Sequence, residues 1–138
     1  MISHIMIRNK VDIRVRYAET DVMGVVHHAH YWVWCEVARV ALMDVMGYPY
    51  KRIEVEGFYL PVVELQAKYR ASAYFDDDLS VWAEIQELPR SRVEIIYAIE
   101  RQGKRLFDGS SRHAFVRKGG GVCKPPRAWL EVLMPYVT

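Results

Sequence analysis

The sequence predicts an α+β fold in which one five-stranded antiparallel sheet wraps a single long helix. Three observations carry that expectation. An alternating run opens the chain, one apolar stretch of helical period follows it, and four further alternating runs separated by turn residues fill most of the remainder. A helix that is apolar on most sides needs cover, and a curled antiparallel sheet supplies it with short connections.

In the first run Val11, Ile13, Val15 and Tyr17 alternate with Asp12, Arg14 and Arg16, the period of a half-buried strand. A polar, glycine-containing stretch from Ala18 to His30 comes next. From Tyr31 the period changes. Trp34, Val37, Ala38, Ala41, Leu42 and Val45 recur at three- and four-residue spacing and share a helical face. Gly47 and Pro49 stop that helix. At about 1.5 Å per residue, a helix of roughly 16 residues is about 24 Å long.

The remaining strands follow in hairpin succession. Val63, Leu65, Ala67 and Tyr69 form one alternating set, Leu79, Val81, Ala83 and Ile85 a second, and Val93, Ile95, Tyr97 and Ile99 a third. Arg105 to Arg117 alternates more weakly, and Asp76 to Asp78 and Gln102-Gly103 are the turns. With no repeat or linker in it, the chain is expected to be one domain over 1–138.

Composition removes several classes of function. The 51% hydrophobic and 26% charged content is that of a folded domain and argues against disorder. A net charge of +2, with both signs mixed along the chain, leaves no electrostatic footprint for nucleic acid. Cys35 and Cys123 are too few for a stapled secreted scaffold, which points to a reducing compartment. Met1 to Lys10 lacks a signal-peptide core, and no run approaches the roughly 18 apolar residues that span a membrane. The expected location is the cytoplasm.

Chemistry concentrates in Tyr17 to Tyr31, which reads YAETDVMGVVHHAHY. This stretch joins the first strand to the helix, so its end lies at a helix N-terminus, where backbone N–H groups are unpaired and a partial positive charge is exposed. Such an end can hold the oxyanion of a tetrahedral intermediate. Asp21 supplies a carboxylate just upstream, and Gly24 lets the backbone turn closely. A carboxylate beside an amide cradle is a minimal acyl-transfer site. No metal is expected: neighbouring histidines in a loop seldom converge on one ion, and no cysteine or carboxylate stands at ligand spacing. Without a G-x-S-x-G elbow, a serine nucleophile has no support.

With Tyr17, Asp21, Gly24 and His27-His28-Ala29-His30-Tyr31 in place, the stretch resembles the signature of the 4-hydroxybenzoyl-CoA thioesterase-like family of hotdog proteins. Leu60-Pro61-Val62-Val63-Glu64 resembles the start of that family's second strand, Asp76-Asp77-Asp78 its acidic turn, and Arg112-His113-Ala114-Phe115-Val116 its last strand. The resemblance runs from about Asp12 to Val116. It implies the hotdog fold and a thioesterase acting on an acyl-CoA or an acyl group on a carrier protein. It also implies a homodimer or homotetramer with active sites at the subunit interface. The family's catalytic aspartate matches Asp21, as nucleophile or as general base. Its oxyanion donor matches the amide of His28 or its neighbour. No cofactor is implied, since coenzyme A arrives as part of the substrate. The chain departs from the family where His27 replaces a common Tyr and His30 a common Asn, which removes the usual helix cap.

The candidate catalytic residues are therefore Asp21, Gly24 and His28. Candidate substrate-binding residues are Tyr17, His27, Tyr31, Glu64, Arg90, Ser91 and Arg92, the last three as a basic turn facing coenzyme A phosphates. Arg117, Lys118 and Gly119 to Gly121 form another candidate phosphate contact. Glu64 is either solvated or a second carboxylate in the site. Glu19 is expected to be solvated, and Trp32 and Trp34 to serve the core and an interface. Two other functions compete: a non-catalytic acyl-CoA binding module, and a hotdog dehydratase or hydratase.

Overall fold

The computed structural model describes residues 4–138; Met1 to Ser3, part of the stretch read for a leader and of the domain expected over 1–138, lie outside it. The elements run β1 His4–Arg14, α1 Ala29–Met46, α2 Tyr50–Val55, β2 Phe58–Tyr59, β3 Val62–Tyr69, β4 Asp78–Glu87, β5 Arg92–Arg101, β6 Lys104–Arg117, β7 Val122–Cys123 and α3 Arg127–Leu133. All strand pairs are antiparallel. β1, β4, β5, β6 and β3 lie side by side in that order, and the two-residue β2 and β7 extend the far end of β6. The hotdog arrangement anticipated above is present: α1 packs on the inner face of this sheet, against β1 and β4.

Alternation buried the residues it predicted on β4 and β5. Leu79, Val81, Ala83, Ile85, Val93, Ile95, Tyr97 and Ile99 all belong to the core. The other elements differ in detail. β1 begins at His4 rather than Val11, because Ile5 and Ile7 are buried ahead of the charged Arg8–Lys10 stretch that masks the pattern. Tyr17 leaves the strand in a 3-10 turn, Tyr17–Glu19, and is 77% exposed.

The helix α1 has 18 residues, about 27 Å at 1.5 Å per residue. Gly47 ends it in the left-handed region at φ 82°, with Tyr48 N–H donating to Met43 O. Its buried stripe is Tyr31, Trp34, Cys35, Ala38, Leu42, Met43 and Met46. Val37 and Val45, expected inward, are exposed together with Val33 and Val40. All eight residues of β3 are exposed as well, although its partner β6 pairs it along its length. One side of the helix and the facing edge of the sheet are thus open in the single chain.

The tail adds a further element. Residues beyond the glycine loop form α3, whose Trp129 and Leu133 are fully buried, the Trp129 ring lying 5.2 Å from Phe115 edge-on. Both α2 and α3 are too short to show a helical period. Cys35 and Cys123 are free thiols. Among the described residues, no helix is long and apolar enough to cross a membrane.

Candidate active site

Residues 19–27 form a small hairpin. His27 N–H donates to Glu19 O, Thr20 bridges Val26, and Asp21 N–H donates to Val25 O. At the tip, the Asp21 carboxylate closes the turn: Oδ1 accepts Met23 N–H at 2.8 Å and Val25 N–H at 3.1 Å. This is an Asx-type turn, for which an aspartate has the right reach. Gly24 follows at φ +75°, where a side chain would be strained although nothing crowds it. With Oδ1 committed, Oδ2 has no partner among the described residues.

The hairpin lies on the segment between β3 and β4. Val26 N–H donates to Ala73 O, Phe75 N–H donates to Gly24 O, and Val25 bridges Tyr74. Tyr31, in the first turn of α1, accepts Ala73 N–H through its buried hydroxyl at 2.9 Å. Burial pushes the Tyr31 hydroxyl pKa up, against the lowering effect of that hydrogen bond. Tyr17 contributes from outside, its ring edge-on to Phe75 at 5.4 Å.

The start of α1 lacks an Asn or Asp cap, and His27 takes over part of that role. Its Nδ1 accepts Ala29 N–H at 3.3 Å, while His30 and Tyr31 N–H groups donate to the carbonyls of His27 and His28. From Glu19 to Tyr31, every backbone N–H finds an acceptor among the described residues except those of Val22, at the exposed tip, and His28. The His28 amide is therefore an available donor at the helix N-terminus, where the partial charge is positive.

The histidine rings cluster without converging. His27 and His28 lie 4.3 Å apart by ring centroids and His27 and His30 6.3 Å. Tyr69 of β3 packs edge-on to His28 at 6.0 Å and donates its hydroxyl to His28 O. Among the described residues, no group of three or more His, Cys, Asp or Glu side chains is placed to hold a metal ion.

Glu19 overturns the expectation of a solvated carboxylate. It is 3% exposed, with Oε2 accepting the Trp34 indole N–H and Oε1 the Arg16 backbone N–H, both at 2.8 Å. Burial alone raises its pKa; the Arg16 and Trp34 hydrogen bonds and the Arg16 charge outweigh that and hold it below the usual carboxylate range. The contact with Arg16 N–H is a local one, three residues back, and leaves a carboxylate solvated in most turns; what buries Glu19 is Trp34, 15 residues away in sequence, which no local motif announces. Trp34 is core, 2% exposed, and Trp32 packs edge-on to Phe107 and Tyr97.

The remaining candidates lie apart from this loop. Glu64 pairs in register with Arg112 and receives a hydrogen bond from Gln66, two residues along the same face. Arg90 and Ser91 occupy the exposed turn between β4 and β5, and Arg92, also exposed, is the first residue of β5. Tyr69, beside His28, pairs with Phe107, whereas Arg92 pairs with Ala114. Those pairs stand seven positions apart along β6, roughly 23 Å at about 3.3 Å per residue. Arg117, Lys118 and the glycine loop share the end with Arg92; Lys118 donates to Glu54 O.

Comparison with known proteins shows the family. The sequence model of the thioesterase-like superfamily matches residues 15–133. YneP of Bacillus subtilis, named as a candidate acyl-CoA thioesterase, is 40% identical over 111 residues, 80% of each chain. A 1,4-dihydroxy-2-naphthoyl-CoA hydrolase of Synechococcus is 29% identical over 129 residues, 85% of each chain. Among solved structures, the DHNA-CoA thioesterase of Staphylococcus aureus superposes with a TM-score of 0.87 at 29% identity, covering 94% of this chain and 91% of that one.

Proposed function

From a chain that belongs to the thioesterase-like superfamily of hotdog-fold thioesterases, we propose an enzyme that hydrolyses acyl-CoA thioesters with Asp21 at the reacting carbon. The observation that carries this reading is the pairing, in one loop, of a carboxylate with one uncommitted oxygen and an unpaired amide at a helix N-terminus. The thioester oxygen sits on His28 N–H, which stabilises the charge that develops in the transition state. Asp21 Oδ2 then either attacks the carbonyl carbon, expelling the thiolate and leaving a mixed anhydride for water to open, or takes a proton from the attacking water. Both routes yield the free acid and the thiol. Coenzyme A enters as substrate, and no cofactor or metal takes part.

The functional unit is a dimer, or a tetramer made of two such dimers. A single chain leaves the β3 edge and the Val33, Val37 and Val40 stripe uncovered, and an open edge beside an apolar face calls for a partner. Antiparallel pairing of two β3 strands about a two-fold axis sets the Val62 end of one copy against the Tyr69 end of the other. The basic Arg90–Arg92 turn of the second copy then approaches the Asp21 loop of the first, where coenzyme A phosphates lie. The two unpaired cysteines suit a reducing cytoplasm. The names of YneP and the naphthoyl-CoA hydrolases, which specify CoA thioesters, support coenzyme A as the thiol here.

The test is thiol release from a panel of aliphatic and aromatic acyl-CoAs by the native protein and by Asp21→Asn. The amide oxygen of Asn keeps the two turn hydrogen bonds, so the substitution removes charge and reactivity while leaving the loop closed. A loss of about a hundredfold or more is expected. Binding without thiol release would leave an acyl-CoA binding module, and an active variant would remove Asp21 from the chemistry.

A further inference from the structure

We infer that Glu19 is a positioning residue for Asp21, a role that rests on the functional reading above. A carboxylate that is 3% exposed, with two full hydrogen bonds, is an unusual anchor two residues from an exposed loop tip. Buried carboxylates survive when every lone pair facing the protein meets a donor, and here one oxygen holds the loop's own backbone while the other holds α1.

Three contacts converge on this residue. Oε2 accepts the indole N–H of Trp34, in the second turn of α1. Oε1 accepts Arg16 N–H and thereby closes the 3-10 turn, with the Arg16 guanidinium 3.6 Å from Oε2. The Glu19 carbonyl accepts His27 N–H and forms the base rung of the hairpin that carries Asp21. The Asp21 side of the hairpin is thereby tied to α1, the element that also presents the His28 amide. The opposite side of the hairpin is held independently by Ala73 and Phe75. Loss of the Glu19 contact therefore loosens the distance between carboxylate and amide without unfolding the loop.

Glutamine is the discriminating substitution. Both partners of Glu19 are donors, so the amide group of Gln faces one of them with N–H against N–H in either orientation. Misplacement of a reacting group by about 1 Å can cost on the order of a hundredfold in rate. Glu19→Gln should lower kcat by about tenfold or more and change KM by less than about threefold, since substrate contacts are untouched.

The experiment measures kcat, KM and thermal unfolding for the native protein, Glu19→Gln, Asp21→Asn and the double variant, with Trp34→Phe as a second route to the same broken contact. A positioning role predicts that Glu19→Gln changes the residual rate of Asp21→Asn by less than about twofold, while shifting the melting temperature equally in both backgrounds. Trp34→Phe should lower kcat in the same direction. An unimpaired Glu19→Gln beside an inactive Asp21→Asn overturns the role of Glu19 alone. Equal fractional losses in both backgrounds, or a rise in KM alone, also overturn it. A fully active Asp21→Asn overturns the functional reading and this one with it.

Discussion

The His113 ring is fully buried with Nε2 2.8 Å from Ser111 Oγ, two residues along the same face of β6. Its Nδ1 lies 3.1 Å from Leu60 O, which can only accept, so Nδ1 carries the proton and Nε2 accepts from Ser111. Ser111 in turn accepts from Tyr97, and Tyr97 from Arg39, which also donates to Tyr50. From Arg39 through Tyr97, Ser111 and His113 to Leu60 O, every donor points the same way. An imidazolium at His113 would have to reverse it against the Arg39 charge.

That arrangement predicts an acid-sensitive fold. Burial first, and then the Arg39 charge, lower the His113 pKa from 6.5 to about 4. The unfolded chain thus binds a proton that the folded chain refuses, and stability falls as pH drops from about 6.5 toward 4. The loss approaches roughly 3 kcal/mol at its limit. Urea unfolding at pH 7.5 and 4.5 should show it, with a shallower pH dependence in His113→Gln. Equal slopes in the two proteins would assign the acid sensitivity to other groups.

Gly24 tests the turn that holds Asp21. It sits at φ +75° with nothing within 4 Å of an added Cβ. Backbone strain, not crowding, is then the whole penalty. Gly24→Ala should lose about 1 kcal/mol, and Gly24→Asn less, because Asn tolerates the left-handed region. Denaturant titration of both variants is the check; equal losses would show that something other than φ matters there.

Val37 tests the proposed assembly. It is 47% exposed on the open side of α1, so Val37→Glu should leave a single chain's melting behaviour nearly unchanged. If a second copy covers it, a charge there meets apolar surface, at roughly 2 kcal/mol or more. Light scattering should then report a shift from dimer to monomer, with thiol release falling in parallel. A variant that remains dimeric and active would place the subunit interface elsewhere.

Residue patterns with a local cause are legible in the sequence alone. The alternation of β4 and β5, the glycine stop of α1 and the YAETDVMG turn each depend on residues within a few positions of one another. Their physics is that of strand pleat, helix cap and Asx turn, so the sequence by itself determined the fold class and the loop that bears Asp21. Tertiary structure decided the rest, because the deciding partners are remote in sequence. Only folding brings Trp34 onto Glu19 and turns an apparently solvated carboxylate into a buried anchor. Only sheet order puts the Arg90–Arg92 turn and the Asp21 loop at opposite ends of one chain. The face of α1 that carries Val37 looked buried because its residues are apolar. Whether an apolar face is covered depends on the area the rest of the chain can reach, and here β3 and its neighbours leave that face open.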